Sequence, residues 1–429
     1  MSASLFLVER TPGPEWAVVT ATRPISSLRL GTSTIAQRIQ RWTNTRPNGV
    51  LVRGPLKGFQ EEGSLPSASP PPDAGPSGTL FWNSRAIPDP SGACPEFGAR
   101  PAVVEIDGRY AGLWLPPGRP LPSSSGDLPD GRDAAARPSI TAEDGTVPIH
   151  AVAGAWIDAP WDLIELNPRI LLADLEAFHG VGADGRPTHH RYEGNPGVFV
   201  ERHHPIWVEE DVDIGYGVVL DARGGPIKLD QGVRVSGPAR LVGPLHVAWD
   251  SWILGGSIAT SSIGPVCKVN GEVSSTVMLG WSNKSHDGHL GHALVGRWVN
   301  LGAGTSNSDL RNDYAPVKVT VGGERIDTGI DKLGAMIGDH VKTGIGTLLP
   351  TGAIIGAGSQ LASGGFAPSS VPPLTWLTDR GGVPYRFDRF EVAMRAAMAR
   401  RYVVPGDSEI EILRRLHAEV HGSRGEGGA

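Results

Sequence analysis

Cysteine is nearly absent from this chain: only Cys94 and Cys267 occur in 429 residues. Two thiols exclude a disulfide framework and fit a reducing compartment, so a cytoplasmic setting is expected. Long hydrophobic runs are missing as well. No window approaches the roughly 18 apolar residues of a membrane span, and Met1–Arg10 reads as a first strand rather than a signal peptide. Charge of one sign is lacking too: the net charge is −6 with acids and bases interspersed, which argues against a nucleic-acid partner.

Glycine and proline are in excess. The 58 Gly and 37 Pro are about a fifth of the chain, against an average of roughly 12%. Some of this lies in two Pro/Gly/Ser-rich stretches, 63–77 and 119–138, which read as linkers or loops. Much of the rest belongs to a repeat. Aliphatic or small residues recur every sixth position at Ile337, Thr343, Leu349, Ile355 and Leu361, with Gly338, Gly344 and Gly356 directly behind three of them. The same step links Val208, Ile214 and Leu220, and again His289, Val295 and Leu301. A period of six fits neither a helix nor simple strand alternation. It fits a chain coiling into a triangular prism, one hexad per side, with stacked coils supplying the core.

In chain order, residues 1–195 read as an α/β domain. Ser4–Val8 has the pattern of a buried strand, Ala17–Thr20 of a short extended piece and Ile35–Trp42 of a helix. Arg23, Arg29 and Gly31 stand close enough together to grip a phosphate, or to form a surface loop before that helix. Pro160–Phe178 predicts a helical segment with Ile170, Leu171, Leu175 and Phe178 on one stripe. The prism is expected over 196–367, interrupted by a polar insertion over 306–336 that could line a binding face. Two helices are expected within 368–429 as a cap on the prism's end, the second with an Asp407-Ser-Glu-Ile start resembling an N-cap.

Several segments together carry a family resemblance. They are Ile263–Lys268, Gly271-Glu272-Val273, Ser282–Gly291 (SNKSHDGHLG), Gly296–Thr305 (GRWVNLGAGT), Asn312-Asp-Tyr314-Ala-Pro and Ile337-Gly-Asp339-His340. The run from about Val198 to Pro368 resembles the C-terminal half of the bifunctional N-acetylglucosamine-1-phosphate uridyltransferase/glucosamine-1-phosphate acetyltransferase family, in a divergent bacterial branch. The resemblance implies an α/β nucleotidyltransferase-like N-terminal domain and a left-handed parallel β-helix of the hexapeptide-repeat, trimeric acyltransferase type, followed by C-terminal helices. It implies a homotrimer with acetyl-CoA between neighbouring prisms, a sugar-phosphate acceptor, and Mg²⁺ if the first domain transfers nucleotides. Residue by residue, it makes His286 the catalytic base and Glu272 its assisting carboxylate. Asn300, Ala303 and Ala362 would border the coenzyme, and Lys284, His289, Asp309 and Tyr314 the acceptor. His289 and Asp309 stand where the family has tyrosine and asparagine, so they bear on which sugar is taken.

The first domain departs further. After Phe6-Leu-Val8 comes Glu-Arg-Thr-Pro-Gly-Pro in place of the family's Gly-rich phosphate loop, and Ile25 stands where a lysine would. If that domain is active, Arg23 and Arg29 are its phosphate candidates, and the sequence nominates no metal carboxylate. For His286, His289 and His292, a metal cluster and plain solvated histidines are the competing readings. The expected function is acetyl-CoA-dependent N-acetylation of an amino-sugar 1-phosphate, coupled to nucleotidyl transfer giving UDP-N-acetylglucosamine or a related nucleotide sugar. A monofunctional acyltransferase with a nucleotide-sugar-binding N-terminal domain and a non-catalytic solenoid scaffold are the alternatives.

Overall fold

A computed structural model describes residues 3–10, 13–61, 63–69, 73–120, 147–177 and 190–422. Phe178 and residues 121–138 of the second expected loop lie outside the described residues. The first domain is built on β1 (Ser4–Val8), β2 (Gly49–Leu51), β3 (Thr79–Asn83), β4 (Ala102–Ile106), β5 (Arg109–Leu115) and β6 (Ile149–Ala151), in the spatial order β2-β1-β3-β5-β4-β6. β1 runs parallel to both β2 and β3, and its residues Leu5–Val8 are buried, as a strand covered on both faces must be. The described parts of the expected linker, 63–69 and 73–77, are tied down instead of swinging free: the Ala68 N–H donates to the Val50 carbonyl and the Ala74 N–H to the Arg119 carbonyl.

Ala17–Thr20 is a helical turn, α1, not the extended piece its β-branched residues suggest. Pro14 starts the preceding turn with its φ already helical, and α1 then packs on the Met336–Ile337 strand of the second domain. Tertiary burial of Val18 and Val19 overrides a weak local preference. α2 (Ile35–Thr43) opens with a capping box between Thr34 and Gln37. α3 (Asp162–Glu165) and α4 (Asn167–Ala177) follow, with Ile170, Leu171 and Leu175 buried as the stripe predicts.

The second domain is a left-handed β-helix. Along one face, nine parallel strands stack from Ile206–Val208 to Ser370–Val371. Chain already lies on this face at His190–Arg191, paired antiparallel to Trp207 and Val208. Parallel pairing also continues past the expected limit of 367, through Ile355↔Val371 and Leu361↔Leu377. The hexad residues Ile337, Thr343, Leu349, Ile355 and Leu361 are all buried in the prism. The His289 register is different. Leu290, not His289, joins the axial core. Neighbouring coils there lie only 15, 16 or 17 residues apart, as in the bonds Thr276→Ser261, Cys267→Ser251 and Val299→Ser282. A shortened coil breaks the six-residue phase while keeping the stacking.

The insertion holds a hairpin, Lys318–Val321 with Glu324–Asp327. Its Val317 and Val319, with Leu333, join the core cluster of the first domain, so much of this insertion seals the two domains together. The prism itself ends in a hairpin, Thr375–Thr378 with Gly381–Pro384. α5 (Phe387–Ala399) and α6 (Asp407–His421) pack on the last coil, where His417 bonds the Tyr385 carbonyl and His421 the Pro373 carbonyl, and run on along the flank of the prism. They bury Phe390, Met394, Met398, Ile410 and Leu413 against Trp281, Trp298, Ala357 and Leu374. Trp281, Trp298, His340 and Leu374 all have positive φ, marking a corner whose tryptophan rings lie 6.0 Å apart. That aromatic edge is the apolar surface the helices need. Asp407 does not cap α6; the cap position is Gly406, without a side-chain bond.

Candidate functional site

The stretch from Trp281 to Gly291 forms one coil of the prism. Asn283 and Lys284 make its short third-face strand, pairing with Lys268 and Val269. Strand alternation then turns Asn283 outward and Lys284 inward, at the level where Val269, Ile253 and Val235 fill the axis. Lys284 is only 1% exposed. Its Nζ donates to the Asn270 carbonyl at 3.1 Å and to the His286 carbonyl. Burial pushes its pKa down to about 8. The expectation that Lys284 contacts the acceptor is therefore corrected: it braces the turn that carries His286.

His286 itself is exposed on that turn, between strands 283–284 and 289–291. The turn is pinned on its far side, where the Asp287 carbonyl accepts from the Gly304 N–H at 3.2 Å. Glu272 faces a different histidine from the one expected. The pairing Glu272↔His289 places its Oε1 3.5 Å from His289 Nδ1. His289 Nε2 is 3.7 Å from Asp309 Oδ2, and the same oxygen bonds His292 Nδ1 at 2.8 Å. The result is a row, Glu272–His289–Asp309–His292, in which carboxylates and imidazoles alternate. The bond from His292, opposed in part by burial, holds the Asp309 carboxyl below its usual range. Gly291 leaves room for this row: a Cβ would come within 2.4 Å of Asp309 Oδ2 and 2.5 Å of His289 Nε2 and push one of those side chains aside. Among the described residues no group of three or more His, Cys, Asp or Glu could hold a metal ion.

The sequence offers His292 only as a metal-cluster member or a plain solvated histidine, and not as the partner of Asp309. A signal was present, because His292 and Asp309 are separated by one coil of 17 residues. Asn307 was missed too: buried at 4%, it bonds the Gly291 N–H through Oδ1 and the Gly291 carbonyl through Nδ2, both at 2.9 Å.

The expected coenzyme residues lie along successive coils. Asn300 is exposed and bridges Asn283 and Lys342. The Ala303 carbonyl accepts from the Gly346 N–H at 2.8 Å. Ala362 is exposed, its N–H bonded to the Leu377 carbonyl at 2.7 Å. Tyr314, 74% exposed at the start of the insertion, makes no side-chain bond among the described residues.

Arg23 does not offer the free phosphate clamp expected of it. Arg23 is buried, with Nε 2.8 Å from Asp339 Oδ2 and Nη1 2.7 Å from Glu61 Oε2. Burial opposes its charge, but Asp339 and Glu61 outweigh it and hold the guanidinium protonated. Thr22 donates to the same Asp339 oxygen at 2.7 Å, so this network ties the two domains. Arg29 lies apart, buried at their seam. At the C-terminal end of β1, the Glu9 carboxylate accepts from the Ile25 and Ser26 N–H groups at 2.9 and 2.8 Å. Burial raises its pKa against those bonds. A protein carboxylate thus occupies the N–H groups at the start of the Ile25–Ser27 turn.

Residues 17–180 match the sugar nucleotidyl transferase family. The match holds Arg23, Arg29 and α1 to α4, and it makes the first domain nucleotidyltransferase-like in sequence as well as fold. The chain is also similar to the "Bifunctional sugar-1-phosphate nucleotidylyltransferase/acetyltransferase" of Sulfurisphaera tokodaii, with 30% identity over 53% of this chain and 49% of the relative. Proteins named "Bifunctional protein GlmU" match at 25% identity in Methanocaldococcus jannaschii, over 35% of this chain and 33% of the relative, and at 26% in Acaryochloris marina, over 39% and 38%. The chain spans half or less of the length of these relatives. Similarity to bifunctional sugar-phosphate transferases agrees with a nucleotidyltransferase-like domain joined to a β-helix.

Proposed function

We propose that this chain is an acetyltransferase that moves the acetyl group of acetyl-CoA to the amine of an amino-sugar 1-phosphate. The observation that carries the reading is the exposed His286 on a turn braced from inside by Lys284, next to the Glu272–His289–Asp309–His292 row. In the reaction the amine nitrogen bonds to the thioester carbonyl carbon and the carbon–sulfur bond breaks. His286 takes the proton released from the attacking nitrogen, and that proton passes to the departing sulfur, so that coenzyme A leaves as the thiol. An imidazole suits this task near neutral pH. His289 and Asp309 replace the tyrosine and asparagine of the resembled family and would contact the sugar. Asn300, Ala303 and Ala362 would border the coenzyme between prisms of a homotrimer working in the cytoplasm.

The first domain is proposed to handle the nucleotide sugar, with UDP-N-acetylglucosamine or a relative as the product of a bifunctional enzyme. A second reading is favoured by Glu9 and Arg23: the domain binds a nucleotide sugar without transferring it. Glu9 is spent on two backbone N–H groups, and Glu61 and Asp339 on Arg23. These carboxylates do not fit a Mg²⁺ site, and no step is derived through that ion.

The test is thiol release from acetyl-CoA with glucosamine 1-phosphate, beside pyrophosphate release from UTP with N-acetylglucosamine 1-phosphate. His286→Ala should abolish thiol release while coenzyme binding survives; unchanged turnover refutes His286 as the base. Thiol release without pyrophosphate selects the second reading. Silence in both assays, with other amino sugars tried, leaves the β-helix as a scaffold.

A further inference from the structure

We propose that the seam between the first domain and the prism binds the phosphate of a small phosphorylated ligand, with Arg29 and Arg297 as its cationic walls. The seam opens into a cleft of about 220 Å³, walled by Arg29 and Glu61 from one domain and by Trp249, Leu279, Trp281 and Arg297 from the other. Pockets for drug-sized ligands run to about 300–1,000 Å³, so this one suits a phosphate or a phosphorylated sugar rather than a whole nucleotide sugar.

The charge balance asks for an anion. Arg29 is 7% exposed, yet among the described residues its guanidinium makes only one bond, from Nη1 to the Thr32 carbonyl at 2.9 Å, and its buried Nε finds no partner. A guanidinium carries five N–H donors in a fixed fork. No carboxylate reaches it: the favourable charge acting on it most is Asp230, which is already bonded to His246 and Lys228. Burial accordingly lowers its pKa to about 10. Arg297, 8% exposed, lies over the Trp281 ring at 3.8 Å and bonds Glu61 through Nη1 at 2.5 Å, leaving its Nε unpartnered. Glu61 is shared between Arg23 and Arg297 and Asp339 pairs with Arg23, so among the described residues Arg29 is left without a counter-ion. An uncompensated buried cation is strongly unfavourable; a phosphate oxygen pair meets the guanidinium fork directly. The Trp249 and Trp281 faces supply an apolar wall for a sugar ring attached to that phosphate.

None of the residues proposed for acetyl transfer lines this cavity, so the inference stands apart from that reading. The experiment is calorimetric titration of the full chain with inorganic phosphate and, separately, with glucosamine 1-phosphate, in parallel with thermal unfolding. Binding of either probe at millimolar concentration or tighter, weakened at least about tenfold in Arg29→Met, is the expected result. Arg29→Met should also melt no lower than wild type without phosphate and lose the phosphate-induced rise. Arg29→Lys, which keeps the charge and loses the fork, supplies the same comparison should the methionine variant not fold. Trp249→Ala separates the sources: selective weakening of glucosamine 1-phosphate identifies a sugar phosphate, and equal retention of both probes identifies free phosphate. No heat and no melting shift with either probe, or equal binding in both Arg29 variants, overturns the proposal.

Discussion

Replacing Lys284 with methionine tests how the His286 turn is built. In the fold Lys284 occupies an axial position, 1% exposed, with its ammonium against two carbonyls. Its pKa is pushed down to about 8, against roughly 10.4 in an unfolded chain. At 1.36 kcal/mol per unit, the protonated form is disfavoured by at most about 3 kcal/mol. Allowing for solvent screening near the turn, about 1–2 kcal/mol is expected. The folded pKa is depressed, so between pH 8 and about 10.4 the unfolded chain holds a proton that the folded chain has released. Stability therefore rises with pH through that window, and at pH 7 the cost is fully present. Urea unfolding of wild type and Lys284→Met at pH 7 and pH 10 isolates the effect. Wild type should gain about 1–2 kcal/mol on the variant across this interval. Because methionine cannot donate to the His286 carbonyl, kcat for thiol release should fall at both pH values. A stability difference that is flat with pH would refute the buried ammonium, and unchanged kcat would refute its role in holding the turn.

Other substitutions probe the neighbouring contacts. Arg23→Met strands the Asp339 carboxylate in the seam and leaves Glu61 with Arg297 alone, and denaturation should register a loss of about 3–5 kcal/mol; a loss under about 1 kcal/mol would mean that solvent reaches Asp339. Asp309→Asn removes the anion shared by His289 and His292, and steady-state kinetics should show kcat reduced by at least about tenfold with coenzyme binding intact. Gly291→Ala drives a methyl into that row, 2.4 Å from Asp309 Oδ2. An overpacking cost of about 1–3 kcal/mol should appear in thermal unfolding together with loss of activity, while a silent variant would show the row to be loose.

Much of the architecture could be read from the chain, and the reason is periodicity. Where coils keep one length, as from Ile337 to Leu361, every hexad residue points inward and the repeat is audible in sequence. Around His289 the coils shorten to 15–17 residues, the phase slips, and Leu290 takes the axial place. His286 could be found by its motif because its turn is local. Glu272 could be nominated but not correctly partnered, since cross-coil register decides that it meets His289.

The sequence by itself determined a two-domain chain with a stacked prism, the helix α2 within a residue, a pair of helices within 368–429 with the second starting at Asp407, and the polar run around His286. Each rests on spacing or caps within a few residues. Only the tertiary structure decided which of the polar side chains are free. Lys284 looks like a surface lysine until strand alternation turns it inward. Arg23 looks like a phosphate clamp until Asp339, 316 residues away, claims it. The cavity beside Arg29 exists because two domains close over one another. A charge acquires its role from the partner and dielectric around it, and both are set by contacts that no local pattern records.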